Sequence, residues 1–419
     1  MNILLRSVKI IDPQGKHNQQ VADIYIKNGI IENIDPEIGP EKGTQIIEIP
    51  GLHVSPGWFD SSVSFGEPGF EERETIAHGL FTAARSGFTA VAVNPNTHPV
   101  ADSNADMAFI KARGNGAATE IFPIGALTAK GEGVDLAELF DMSRSGAIAF
   151  GDYRSPVANP NLLKIALQYV QNFDGMVISF PLEKSIAGKG VVNEEETALR
   201  LGLKGIPALS EELQIARDLY ILEYTGGKLH IPTISTKRSV ELISAARKKG
   251  LDVTCSVAIH NLFLNDSVLD GFDTRYKTMP PLRTEEDRKA LLKGLTDGVI
   301  DMVTSDHDPR DIEGKKVEFD YADYGTIGLE SAFGALNTLL PLDKTISLLT
   351  SGRGRFKMEL PAIEKGAMAN LSLFDPSPEY VFKKSHVIST SANSAFYDQK
   401  LKGKVYGIIR ANHLEADLS

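Results

Sequence analysis

The chain has a single cysteine, no long apolar run and fewer cations than anions. Cys255 alone can form no internal disulfide, and a cysteine-rich zinc module is excluded; this usage suits a reducing compartment. No stretch approaches the roughly 18 apolar residues of a membrane span. The opening places only Ile3, Leu4 and Leu5 in succession before Arg6, too little for the apolar region of a signal peptide. A cytoplasmic protein without a membrane partner is therefore expected. Forty-four Lys and Arg against 55 Asp and Glu give a formal charge of −11, which repels polyanions, so no nucleic-acid partner is expected either.

What is present is ordinary globular material, 42% hydrophobic and 24% charged, which excludes disordered and fibrous classes. The length of 419 residues allows two or three domains, or one barrel with an appendage. Residues 1–52 read as short strands, with Asn28-Gly29 between two alternating runs predicting a hairpin. From Pro56 the pattern becomes strand, loop, helix, repeated, with strands predicted at 58–64, 88–94, 119–127, 147–152, 175–180, 228–235, 251–258 and 300–306. Apolar spacings of three and four predict helices over 161–173, 210–224, 238–249 and 284–296, with Ser210 as the cap of the second. Eight such units over about 300 residues suit a (β/α)₈ TIM-like barrel. Runs at 370–374 and 404–409 are β-like again. The expected α/β architecture is thus a barrel over 53–362 and a small β-sandwich domain built from 1–52 and 363–419.

In such barrels chemistry sits at the C-terminal strand ends. Strand one ends in Asp60-Ser61-Ser62-Val63-Ser64, whose period-two geometry puts Ser62 and Ser64 on one face. Strand two ends in Asn94-Pro95-Asn96-Thr97, strand four in Asp152-Tyr153-Arg154, strand five in Ser179, strand six in Thr233 after His230, and strand eight in Thr304-Ser305-Asp306-His307-Asp308. A serine nucleophile needs a base within reach, and none of these serines has one at a recognisable spacing. His230 and His260 lack any recognisable ligand set around them and are read as internally hydrogen-bonded, and Cys255 as a buried strand residue.

The strings Pro56-Gly57-Trp58-Phe59-Asp60, Glu67-Pro68-Gly69, Asn94-Pro95-Asn96-Thr97, Leu229-His230-Ile231, Pro280-Pro281-Leu282-Arg283, Thr304-Ser305-Asp306-His307 and Gly325-Thr326-Ile327-Gly328-Leu329-Glu330 occur in one order. Together they make the chain resemble the dihydroorotases of the amidohydrolase superfamily over nearly its whole length. The resemblance implies a barrel of the metal-dependent hydrolase type with a β domain from both termini. It also implies a zinc site made of His-x-His after strand one, an Asp after strand four, single histidines after strands five and six, and an Asp after strand eight serving as acid and base. Zinc held this way lowers the pKa of bound water to about 7 and polarises an amide carbonyl.

Carried onto this chain, the four histidines fall on Ser62, Ser64, Ser179 and Thr233. Only carboxylates remain, Asp306 and, with Tyr153 as the alternative register, Asp152. The arginine that would hold the substrate carboxylate falls on Gly66, its partner asparagine persists as Asn96, and a second asparagine position reads Met279. Hydroxyl groups are not ordinary zinc ligands. No cofactor is therefore expected, and a retained Asp306 must be protonated or find a cation or hydrogen-bond donors, with Arg154 as a candidate. The reading that follows is a non-catalytic dihydroorotase homologue of pyrimidine biosynthesis, a homo-oligomer with aspartate carbamoyltransferase as the partner the resemblance suggests. Two alternatives stay open: an active dihydroorotase or related cyclic amide hydrolase using zinc at an atypical site, and a small-molecule-binding sensor.

Overall fold

The computed structural model describes residues 1–418. The N-terminal strands β1 (Asn2–Ile10), β2 (Val21–Lys27), β3 (Ile30–Asp35), β4 (Gln45–Ile47) and β5 (His53–Pro56) form one end of an eight-stranded sheet. Lys27 faces Ile30 across the predicted hairpin, and Asn28 and Gly29 both take positive φ, as a two-residue turn between twisted strands requires. Beyond the hairpin the chain builds the barrel staves β6 (Trp58–Val63), β7 (Phe88–Val93), β8 (Glu120–Pro123) and β9 (Val177–Ile178). A short excursion carries β10 (Val192–Asn193) and β11 (Gly205–Ile206), and β12 (Leu229–Ile231), β13 (Val253–Ala258) and β14 (Met302–Thr304) complete the run. The chain then returns to the first sheet as β15 (Asn370–Val381), β16 (Lys400–Arg410) and β17 (His413–Ala416).

Pairing is parallel from β6 through β7 to β8, and again from β9 through β12 and β13 to β14. The two arcs join through Phe150, which bridges Gly125 on one side and Val177 on the other. They join again through His307, bridged to Val63 with Ser64 N donating to its carbonyl at 2.7 Å. The ring of eight staves is thereby closed, with the predicted strand at 147–152 reduced to a bridge around Phe150. Because the staves are parallel, all their C-terminal ends open at one mouth.

The two ends of the chain share a core, in which Ile3, Ile24 and Val54 pack with Leu371, Leu373 and Ile409. His53–Pro56 pairs with β1 and β15, so the passage into the barrel falls at Gly57 and not at the expected 52/53 boundary. The reason is that Val54, inside the range expected for the barrel, is fully buried in the sandwich core. Trp58 sets the height of β6: its ring stacks on Phe333 at 4.9 Å and its indole N–H donates to Ser55 Oγ at 2.8 Å.

The predicted helices appear as Pro160–Val170, Ala208–Thr225, Lys237–Lys248 and Glu285–Thr296. The second begins earlier than predicted, after Pro207, so Ser210 is no cap; it lies in the first turn and donates to the Pro207 carbonyl at 2.8 Å. Its neighbour Glu211 is buried and accepts from Ser235 and Ser239, a use of the acid that local helix reasoning does not reveal. Among the described residues no helix is long and apolar enough to cross a membrane.

Candidate functional site

The strand-end side chains form one hydrogen-bonded knot. Asn94 Nδ2 donates to Ser62 Oγ at 3.0 Å and to Ser64 Oγ at 3.3 Å, which places both serines on the inner face as the period-two reading required. Ser62 Oγ in turn donates to Asp306 Oδ1 at 3.3 Å, and Ser64 Oγ to Asn96 Oδ1 at 3.0 Å. Below them Asp60, absent from the sequence reading as a site residue, accepts from Ser62 N at 3.1 Å, Ser305 N at 2.9 Å and the Thr304 hydroxyl. It ties the first stave to the last, and burial pushes its carboxyl pKa up.

The centre of the mouth is occupied by the pair Tyr153-Arg154. The Tyr153 hydroxyl donates to Asp306 Oδ1 at 3.1 Å, while Arg154 gives Nη2 to Asp306 Oδ2 at 2.8 Å and Nη1 to Asp308 Oδ2 at 2.6 Å. The expected pairing of Arg154 with Asp306 is therefore present. Asp308 was the residue missed: Arg310 reaches it too, at 3.0 Å, and although its burial opposes charge, the two guanidinium groups hold its pKa below the ordinary value. Burial also opposes the charge on Arg154, but the Asp306 and Asp308 carboxylates outweigh it and keep the guanidinium protonated. Burial, reinforced by the neighbouring carboxylates, drives the Tyr153 phenol well above its usual pKa, so it stays a donor.

Asp152 does not face this centre. Its carboxylate accepts from Leu127 N at 2.8 Å, Thr128 N at 3.0 Å and Thr128 Oγ1 at 2.6 Å, holding the loop after β8. Of the two registers left open, it is Tyr153 whose side chain meets Asp306. Ser179 likewise serves structure, donating to buried Asp218 at 2.6 Å. Gly66 has no room for a side chain, since a Cβ there would lie 1.9 Å from the Phe70 carbonyl oxygen. Met279 packs with Phe180, Ala187 and Ile206. Cys255 is buried, and its thiol pKa is raised by that burial. Thr233, Tyr153 and Asp306 all take left-handed backbone, with φ of 46°, 49° and 46°. Such conformations are sterically disfavoured for side-chain-bearing residues and collect at functional sites.

What remains open at the centre is a cavity of about 20 Å³, lined by Ser62, Asn94, Tyr153, Arg154, Thr233 and Asp306 among others. That is room for about one water, far below the ~300 Å³ at which ligand pockets begin. The donor set does not fit zinc. The four positions that would carry imidazole carry hydroxyls, the Asp306 carboxylate is ion-paired, and no cluster of three His, Cys, Asp or Glu among the described residues is placed to hold a metal ion.

His230 meets Thr254 Oγ1 at 3.0 Å and Ser256 Oγ at 3.3 Å, as an internally satisfied histidine should. His260 departs from that reading: it is fully buried, and neither ring nitrogen has a hydrogen-bond partner among the described residues. Burial lowers the two imidazole pKa values to about 3 for His230 and about 4 for His260. Between the ordinary value of about 6.5 and these, the unfolded chain binds more protons than the folded one, so stability falls as pH drops through this window. His260→Leu is expected to remove about 2–3 kcal/mol of the stability loss between pH 7 and pH 4, measured by urea unfolding. An unchanged pH dependence would contradict this assignment.

A closed eight-stave barrel with its polar groups gathered at one mouth, joined to a sandwich from both termini, is the architecture of an amidohydrolase-type protein. Solved structures agree. L-hydantoinase (dihydropyrimidinase) from Arthrobacter aurescens superimposes with a TM-score of 0.86 over 100% of this chain and 96% of that one, at 19% identity. Dihydropyrimidinase from Brevibacillus agri gives 0.81 over 98% and 94%, at 18% identity. At those identities the likeness speaks for the fold. A family model described as Dihydro-orotase-like matches residues 51–239. The protein named dihydroorotase in Pelotomaculum thermopropionicum is 39% identical over 417 residues, covering 98% of this chain and 97% of its own. That of Thermoanaerobacter sp. is 36% identical over 413 residues, covering 97% and 95%. The chain belongs to the dihydroorotase family.

Proposed function

We propose that this protein is a non-catalytic member of its family that works without a metal, by association, as a homo-oligomer and as a structural or regulatory partner of aspartate carbamoyltransferase in cytoplasmic pyrimidine biosynthesis. The observation that carries the loss of catalysis is the Arg154 guanidinium bound to Asp306, the position that serves as acid and base in active relatives. A cation fixed there at 2.8 Å supplies the charge that a metal-free carboxylate needs.

Association is supported by the helix Ala208–Thr225. Leu209, Leu213, Tyr220 and Tyr224 recur at spacings of four, seven and four along it and are 54%, 46%, 75% and 78% exposed. At 3.6 residues per turn these fall on one outward face. A continuous apolar stripe marks an interaction surface where single exposed apolar residues do not. The transferase is expected to co-purify with this chain and to lose activity or assembly without it. Tyr220→Asp with Tyr224→Asp is expected to weaken self-association or that complex at least tenfold, read by analytical ultracentrifugation. A transferase fully assembled and active alone, with both associations untouched by these substitutions, would count against the reading. The names of the relatives favour a second reading, an active cyclic amide hydrolase, which turnover of dihydroorotate would establish.

A further inference from the structure

A cavity of about 260 Å³ lies where the sandwich meets the barrel. It is at the end of the barrel opposite the mouth: Pro56, which lines it, precedes β6, and Ser351, also in the lining, donates at 3.5 Å to the carbonyl of Asp301, just before β14. One wall is the turn after β1, from Asp12 to Lys16, and a second is the last turn of the helix Leu342–Thr350. A third is the run 360–364 that leads back into the sandwich. The volume is just below the ~300 Å³ at which pockets for drug-sized ligands begin, and it suits a smaller molecule; domain junctions are a usual place for such sites.

The buried charge in this lining is Asp12, which is 7% exposed. The turn fixes its carboxylate: a Cβ on Gly15 would lie 2.1 Å from Asp12 Oδ2, so the backbone approaches the carboxylate as closely as only glycine allows. Burial raises the Asp12 pKa above its ordinary value, against the backbone N–H groups of Gln14, Ile363 and Gly15, which lower it. Those donors are neutral. Among the described residues no cation forms an ion pair with Asp12, and His17 acts on it from beyond that distance. A carboxylate buried in this way is short of a counter-charge. Two further features carry the same sign. The last turn of the helix Leu342–Thr350 presents the negative end of its dipole to the cavity. Glu364 stands at the rim with Lys16 at 3.7 Å, the two side chains 52% and 83% exposed, a pair that water screens. Between these polar points Pro13, Pro56, Leu360 and Pro361 supply apolar wall.

We infer that this cavity binds a small organic cation, a short alkyl diamine, with one ammonium on Asp12 and the carbon chain along the prolines. The second ammonium is left for Glu364 and solvent at the rim. The site uses none of the residues at the barrel mouth, and it does not rest on the association reading. Because its walls come from the sandwich turn and from a barrel helix, an occupant that binds only the folded chain ties the two domains together and raises the melting temperature.

The test is calorimetric titration and thermal melting of the purified full chain with putrescine, with potassium chloride at matched ionic strength and with uncharged 1,4-butanediol. Saturable binding of putrescine is expected, with a rise in melting temperature that neither control produces. Asp12→Asn keeps an acceptor for the turn amides and removes the charge, and should raise the dissociation constant at least about tenfold. Ser347→Met fills the cavity and leaves Asp12 in place; it should abolish saturable binding, and it decides the matter if Asp12→Asn does not fold. A response to putrescine no larger than that to potassium chloride, equal binding of butanediol, or saturable binding that survives Ser347→Met would overturn the inference.

Discussion

Arg154→Ala is expected to lower the stability of the folded chain by about 3–5 kcal/mol, the usual cost of removing one partner from a buried ion pair. The side chains of Arg154, Asp306 and Asp308 are 13%, 1% and 3% exposed, so water cannot take over the guanidinium's role. Asp308 keeps Arg310 in the variant, whereas Asp306 keeps only the neutral donors of Tyr153 and Ser62. The damage should therefore concentrate on Asp306. Asp306→Asn in the Arg154→Ala background is expected to recover more than half of the loss, because asparagine needs no counter-ion and tolerates the left-handed backbone at this position. Equilibrium urea unfolding of the two variants and the parent measures both effects. A loss below about 1 kcal/mol for Arg154→Ala would place the pair in the class of solvent-screened bridges and remove its structural role.

The second large effect concerns chemistry. Given dihydroorotate or carbamoyl aspartate, the protein is expected to show no turnover above the uncatalysed rate, a deficit of at least about six orders of magnitude from a working enzyme. The centre has room for about one water, its serines are committed to Asp306, Asn96 and Asp218, and His230, which also lines it, has its ring nitrogens on Thr254 and Ser256 and a pKa lowered to about 3 by burial. Chromatographic assay of both directions after long incubation with added zinc measures this. Turnover abolished by Asp306→Asn would show that the plug opens and that the carboxylate still serves as acid and base.

Much of the fold was legible because the evidence is local. Alternation, helical spacing and the Asn28-Gly29 turn each act within a few residues, and seven predicted staves appear as strands. That hydroxyls occupy the positions the resemblance assigns to histidines was also legible, since it needs only residue identities at the strand ends. The Arg154–Asp306 pairing followed from asking what a buried carboxylate does without a metal. The remainder depends on distance in space. Asp60 meets Thr304 across 244 residues, and Ser179 finds Asp218 on a helix that the local pattern does not orient. A strand end can turn either Asp152 or Tyr153 inward, and only the contacts across the fold, Asp152 to Leu127 and Thr128 and Tyr153 to Asp306, decide which one enters the mouth. His260 was expected to be satisfied and is not, because burial follows from packing that spacing alone does not report.

Hydroxyls and an arginine stand at the positions to which the family resemblance assigns a metal. Plasma emission analysis of protein grown with added zinc and then dialysed tests it most directly. Less than about 0.1 zinc per chain is expected, since no set of neutral imidazoles and carboxylates among the described residues is placed to retain the ion. One or more zinc per chain that survives dialysis, and is lost on Asp306→Asn, would contradict it.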